Sequence, residues 1–407
     1  MTEPAAADPE IDGLPRWLAL SLLLALTILC AVLFINAPGT EDVSTWVALM
    51  ATLDRDGLLQ GYASIAYDIP PVLAALMWLA AVLGYASGLG ALFVLKCMLV
   101  AAAVGSVLIS YAWLRSPSFG MALLVVVVPN LALGYLDVLY LPFLLLSLRA
   151  LQRRHDAGGA VFYGLTCMIK WQAAIVAPFF LVYVLAPDWR IGLRRLLPAV
   201  LAVLLIAAPF GLEPVWSLGR ALSHPFISAN AMNAMWLLTW VLEHYGIDGS
   251  ATDGGAVHWL ADASTPVRLA MALSKAAFAL CYCLLLRRYM HGTKAFSLTL
   301  LFATAGFLAY FALNTGVHEN HLYVACVLAL LLGHFVPQLR FPAAMVAALN
   351  WVNLVLFYGM AGPGLGFSRV YGIDISIPFT ALTLAVCGCY WWVALRSQGV
   401  AGGPGRA

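Results

Sequence analysis

The side chains able to do chemistry in this chain are few and gathered in short polar stretches. Glu41 and Asp42 head the first, Gly39 to Pro71 (GTEDVSTWVALMATLDRDGLLQGYASIAYDIPP), where Asp54, Asp56 and Asp68 bring the acidic residues to five. A carboxylate held at a membrane surface can take a proton from a hydroxyl, which is the work of a general base. Asp137 follows Pro129 and Asn130 between two apolar runs, and Lys170 and Gln172 interrupt a second pair. Ionised groups at such depth are tolerated only where they are buried in protein or line a wet cavity. Lys170 can hold a phosphate as a compact point charge, or it can pair with Asp137.

A third group, His318, Glu319 and His321, stands at the head of an apolar helix in NTGVHENHLY. These side chains can bind an anion when the imidazoles are protonated, ligate a metal, hydrogen-bond sugar hydroxyls, or form a solvated interfacial turn. The zinc-protease spacing His-Glu-x-x-His is absent, since one residue separates Glu319 from His321. Asn230, Asn233, Trp236 and Trp240 are expected along one helical face. Carbohydrate is bound by that mixture of amides and rings, although lipid-facing aromatic belts read the same way.

The elements that position these residues are apolar helices. The chain has 407 residues, 63% of them hydrophobic and 10% charged. With a mean hydropathy of +0.92 it is a polytopic helical membrane protein, not a soluble domain. A net charge of +2 with dispersed basic residues excludes nucleic acid as a partner. Thirteen apolar segments lie between residues 17 and 395, which predicts an all-α fold of about 11–13 spans with an outward-facing cavity.

Residues 16–396 are expected to form one transmembrane domain between a cytoplasmic tail at 1–15 and a disordered tail at 397–407, with an acidic first outer loop at 38–69 and a long outer loop at 211–266. Arg149, Arg153 and Arg154, then Arg190, Arg194 and Arg195, then Arg287, Arg288 and Lys294 lie in short connections and mark the cytoplasmic side. The eight cysteines fall inside apolar runs and are expected to be buried small residues. Lys96 and Lys275 are expected to snorkel towards an interface.

Local pattern refines this. Val43, Trp46, Val47, Met50 and Leu53 share one face of a short amphipathic helix. Two segment pairs, 119–150 and 160–186, are too short to cross as ordinary helices of ~20 residues each, and both carry polar tips, Pro129/Asn130/Asp137 and Lys170/Gln172. Both tips are therefore expected to project into one cavity. The Gly/Ser/Asp-rich stretch 246–265 reads as a lid or a surface excursion.

The order of these motifs resembles the GT-C superfamily of multi-spanning glycosyltransferases. It runs Glu41-Asp42, Tyr67-Asp68-Ile69-Pro70-Pro71, Pro129-Asn130 with Gly134-x-x-Asp137, Lys170-x-Gln172, Asn233-x-x-Trp236 and His318-Glu319-Asn320-His321. The likeness is greatest to bacterial relatives of the GPI-anchor mannosyltransferase and looser to actinobacterial polyprenyl-phosphomannose-dependent mannosyltransferases, over roughly residues 16–335.

The resemblance implies a bacterial plasma-membrane enzyme moving a sugar, mannose by best guess, from a polyprenyl-phosphate donor to a lipid or glycan acceptor on the outer face, with inversion. It makes Asp42 the base with Glu41 beside it, puts Lys170, Gln172, His318 and His321 at the donor phosphate, and puts Asp68, Asp137, Asn230, Asn233, Trp236 and Glu319 at the substrate. Asp68-Ile69 interrupts the family's Tyr-Pro-Pro, and Leu133-Gly134-Tyr135-Leu136-Asp137 replaces its Trp-Gly-Gln-x-Asp. No cofactor is indicated; a divalent ion joining Asp42 and Glu319 stays open, although relatives of this kind often work without one. The competing class is a transporter or flippase, which also uses half-length helices and intramembrane charge, but no internal repeat is evident.

Overall fold

Backbone polar groups in hydrocarbon must be satisfied within their own segment, so long apolar runs become helices. A computed structural model describes residues 15–224, 226–244, 257–259, 265–359, 369–370 and 373–397. Among them, seven helices are long and apolar enough to cross a membrane and four shorter apolar helices accompany them, which makes the chain a helical integral membrane protein. The two expected tails and nearly all of 246–265 lie outside the described residues.

In chain order, the first helices are α1 (Arg16–Phe34), α2 (Asp42–Asp56), α3 (Leu58–Ile65), α4 (Pro71–Ser87), α5 (Ala91–Leu114) and α6 (Pro117–Leu133). A 3-10 turn, Leu136–Tyr140, leads into α7 (Leu141–Gln152), and α8 (Asp156–Ile169) returns to a second 3-10 turn, Trp171–Val176, before α9 (Ala177–Leu185). Then come α10 (Trp189–Ala207), α11 (Glu213–Leu222), β1 (Phe226–Ala229), α12 (Ala234–His244), β2 (Val257–Trp259), α13 (Thr265–Met290), α14 (Phe296–Leu313), β3 (Val317–His318), α15 (Tyr323–Phe335), α16 (Arg340–Tyr358), β4 (Arg369–Val370), β5 (Ile373–Asp374) and α17 (Ser376–Arg396).

These elements form two compact units. The first comprises Met1–Ala174, Asp188–Ser223 and Tyr358–Gly366, and the second comprises Ile175–Pro187, His224–Phe357 and Phe367–Ala407.

In the first unit α5 packs on α1, α4, α6 and α7, while α8 lies between α7 and α10. The α7–α8 hairpin has the basic Arg149–Arg154 turn at one end and the two 3-10 turns, carrying Asp137 and leading on from Lys170, at the other. With 12 and 14 helical residues, each arm is shorter than a membrane crossing. The 3-10 turns supply the remaining reach at ~2.0 Å per residue.

In the second unit α14 is the buried centre, every residue from Phe296 to Ala312 outside Ser297 and Leu298 being buried. It packs against α9, α13, α15 and α17. Two small sheets interrupt the helices of this unit, one of order β2-β1-β3 with β1 antiparallel to β2 and parallel to β3, the other an antiparallel β4-β5 pair.

Several local expectations need correcting. Pro129 and Asn130 are not a tip: α6 runs through them to Leu133. A proline inside a helix lacks the N–H of the regular ladder. The side chain of Asn130, fully buried, supplies a donor of its own to the Val126 carbonyl at 2.9 Å.

On α2 the buried residues are Val43, Leu49, Met50 and Leu53, whereas Val47 is exposed, because the face that packs on α3 and α4 is rotated towards Leu49 and away from Val47. Of the cysteines, Cys97, Cys283 and Cys389 are exposed on the outer faces of α5, α13 and α17. Lys96 does not snorkel into water. It is buried and donates to the carbonyl of Ala37, just beyond α1, whereas Lys275 is exposed on α13.

Candidate functional site

In the first unit the carboxylates named from sequence converge. Asp42 is the first residue of α2, and the chain just ahead of it is tied to the end of α6: Thr40 N–H donates to the Leu133 carbonyl at 3.0 Å. Gly39 makes this approach with φ +80, and a Cβ there would lie 2.8 Å from the Leu133 oxygen and clash with Val43. Only glycine combines that backbone with that proximity. Leu133 leads through Gly134 and Tyr135 into the 3-10 turn that carries Asp137.

Lys170 ends α8, and its Nζ meets Asp137 Oδ2 at 3.3 Å. The side chain of Asp137 is 3% exposed and that of Lys170 18%. This contact is longer than the ~2.7–2.9 Å of a strong charge-assisted bond, so Lys170 retains donors for a further acceptor. Tyr140 Oη also reaches Asp137 Oδ1, at 3.5 Å. Gln172 follows in the second 3-10 turn and is half-buried.

A network that sequence patterns do not reveal fixes the segment around Asp68. The Ile69 carbonyl accepts from Tyr62 Oη and from Ser217 Oγ, each at 2.8 Å. Ser217 Oγ in turn accepts from Trp171 Nε1 at 3.1 Å. Trp171 follows Lys170 directly, so Ser217 couples the Asp68 segment to the lysine turn. Arg220 Nε adds a bond to the Tyr67 carbonyl at 3.0 Å. Ser217 and Arg220 come from α11, which is brought alongside by α10, and nothing in their local sequence marks them.

The electrostatics follow from this geometry. Burial pushes the Asp42 carboxyl above its ordinary range; Lys170 opposes the shift, and Asp68, Glu41 and Asp137 add to it. Glu41 thus acts on Asp42 as a like charge, but burial is the largest cause and Asp68 is the first-ranked carboxylate. Tyr67 is raised too, by burial and then by Asp42 and Asp68, offset by a hydrogen bond with Thr45. Asp137 and Asp42 therefore both feel one ammonium, and Asp42 is the half-buried member whose affinity for a proton is increased.

The second unit gathers the histidine loop. Ser228 pairs with Val317 and Ala229 with His318 between β1 and β3. Gly316, at φ +67, lets His224 pack closely where a Cβ would come within 2.8 Å of the His224 Cβ. His224 and His318 have ring centroids 5.5 Å apart, and His318 and His321 5.1 Å. The His318 N–H (3.3 Å) and Tyr310 Oη (3.0 Å) both approach His321 Nδ1.

Glu319 and His321 are buried. Asn353, fully buried, clamps this loop by donating to the Glu319 carbonyl and accepting from Met232 N–H, each at 2.8 Å. His224 and Asn353 were not singled out in the sequence, because strand pairing and helix docking across some 90–120 residues leave no local signature.

Asn230 and Asn233 do not share a helical face with Trp236. They lie in the turn before α12, Asn230 with φ 51 in the left-handed region. Asn233 caps α12 by accepting from Trp236 N–H at 3.0 Å and donates to the Phe311 carbonyl at 3.0 Å. Trp236 is 6% exposed, donates Nε1 to Ser376 Oγ at 2.8 Å and meets Phe357 edge to face. These contacts serve the fold of the unit. The structure thus joins Glu41, Asp42, Asp68, Asp137 and Lys170 in one unit, and His318, Glu319 and His321 with His224 in the other. Compared with known protein families and with curated proteins, the chain matches none.

Proposed function

We propose that this chain is a membrane glycosyltransferase that moves a sugar, with mannose the best candidate, from a polyprenyl-phosphate donor to a lipid or glycan acceptor at the outer face of a bacterial plasma membrane. Asp42 takes the proton of the acceptor hydroxyl. The acceptor oxygen then bonds to the anomeric carbon as the bond from that carbon to the phosphate oxygen breaks, so the configuration inverts and polyprenyl phosphate leaves. A lipid phosphate departs without a separate general acid, and Lys170 meets the charge that develops on it.

The observation that carries this reading is the state of Asp42: a half-buried carboxyl with raised proton affinity, acted on by Lys170. A base tuned upward towards neutral pH takes a proton more effectively than an ordinary carboxylate. Asp68 and Asp137 then hold substrate hydroxyls or orient Lys170.

The test is to incubate the purified chain with a panel of polyprenyl-phosphate sugars and acceptor lipids and to measure released polyprenyl phosphate. Release that needs both an acceptor and Asp42 supports the reading. A transporter reading draws on the same intramembrane Asp137–Lys170 pair. It requires movement of substrate across proteoliposomes with no bond broken, and that outcome would replace the enzyme.

A further inference from the structure

Lys96 lies outside the acidic cluster and is 4% exposed. Its Nζ donates to the Ala37 carbonyl, and none of the ion pairs among the described residues includes it. An ammonium carries three donors. Burying it with one neutral acceptor and no counter-charge is costly unless something else supplies the charge.

The same lysine lines a small cleft whose other walls include Ala31, Phe34, Leu99, Val100 and Leu131, from α1, α5 and α6. Its volume is about 10 Å³, room for roughly one oxygen-sized group. Phe34 and Val100 in its walls are half-buried, so apolar side chains run from the cleft to the outside of α1 and α5, where the surroundings of a membrane helix are acyl chains.

We infer that this cleft is a lipid site: it takes one phosphate oxygen of an anionic membrane lipid onto Lys96, with the acyl chains lying outward along Phe34 and Val100. Charge complementarity selects the headgroup, since the oxyanion supplies both the missing counter-charge and a second acceptor for the ammonium. Apolar walls select a lipid over a free ion. The cleft admits a single oxygen, so the rest of the phosphate stays at its mouth. The site stands apart from Asp42, on which Lys96 does not act, and it does not depend on the proposed reaction.

The test uses the purified full chain in detergent, titrated with dioleoyl-phosphatidylglycerol, dioleoyl-phosphatidylcholine or inorganic phosphate, with retained lipid read by native mass spectrometry and stability by thermal unfolding. Phosphatidylglycerol should be retained about tenfold more tightly than phosphatidylcholine, the scale of one lost charge-assisted contact. Lys96→Met should abolish the preference. Should that variant fail to fold, Val100→Phe, which fills the cleft and keeps the charge, should abolish it too.

Equal retention of the two lipids, or a preference surviving in the folded variants, would overturn the proposal and leave a water as the partner of Lys96. Inorganic phosphate giving the same Lys96-dependent stabilisation would make this a free-anion site and overturn the lipid assignment.

Discussion

Asp42 and Lys170 carry the account at the level of single residues, and each makes a prediction that needs no substrate. The folded-state pKa of Asp42 is raised, so the ionised form is the disfavoured one. Its contribution to stability is fully present below the ordinary carboxylate pKa and is lost as pH rises through the raised value. Asp42→Asn removes that loss. The variant should therefore melt higher than the parent at neutral pH, and the difference should shrink to nothing as the pH falls through the Asp42 titration. Thermal unfolding of both proteins across pH measures this, and a difference that does not vary with pH would contradict the burial of Asp42.

Lys170 is tied to Asp137, so removing it does more than remove a donor contact. Lys170→Met leaves a carboxylate that is 3% exposed without its cation, at a cost of about 3–5 kcal/mol. The double variant Lys170→Met/Asp137→Asn should recover most of that stability while still lacking the cation. Denaturant unfolding separates the two, and equal stability of single and double variants would show that the pair is not buried.

Among elements, the junction of α1, α2 and α6 decides where Asp42 points. Gly39→Ala forces a side chain into a left-handed backbone and against the Leu133 carbonyl. About 1–3 kcal/mol should be lost at the backbone alone, and catalytic turnover should fall with it because Thr40 and Asp42 move. Gly57→Ala makes the control, since φ is positive there too but no atom stands within 4 Å. If both variants lose turnover alike, the close approach at Leu133 does not position the base.

This scale also shows what the sequence could and could not tell. The amphipathic α2 and the shortness of α7 and α8 were legible because period and length are local properties. The meeting of Asp137 and Lys170 was legible as one of two alternatives, since two short hairpins with polar tips have few places to put their charges. Pro129 misled because proline reads as a break, whereas α6 runs through it to Leu133. The sheet was invisible because strands of two to four residues have no alternation to detect.

For the whole molecule, the apolar helices set a solvent as well as a shape. Cys97, Cys283 and Cys389 are exposed on the outer faces of spans, where the acyl chains around a membrane helix keep a water-soluble reagent away. A membrane-impermeant charged maleimide should leave all three unlabelled in intact membranes and label them once the chain is unfolded in detergent. Rapid labelling of Cys97 or Cys283 in sealed vesicles would place α5 or α13 in water and undo the membrane assignment. The Lys96 cleft was not legible, since the direction of one side chain depends on where the Ala37 carbonyl lies.

The central claim is that Asp42, not its neighbour, is the general base, and the most direct measurement compares polyprenyl-phosphate release by the parent chain, Asp42→Asn and Glu41→Gln under saturating donor and acceptor. Asp42→Asn keeps the size of the side chain and loses the basic oxygen, so turnover should fall by about 10²–10⁴ with donor binding nearly intact. Glu41→Gln removes one like charge from an exposed position and should leave turnover within about tenfold, since Glu41 ranks behind burial and Asp68 in its action on Asp42. Loss of turnover in Glu41→Gln with full activity in Asp42→Asn would contradict the account.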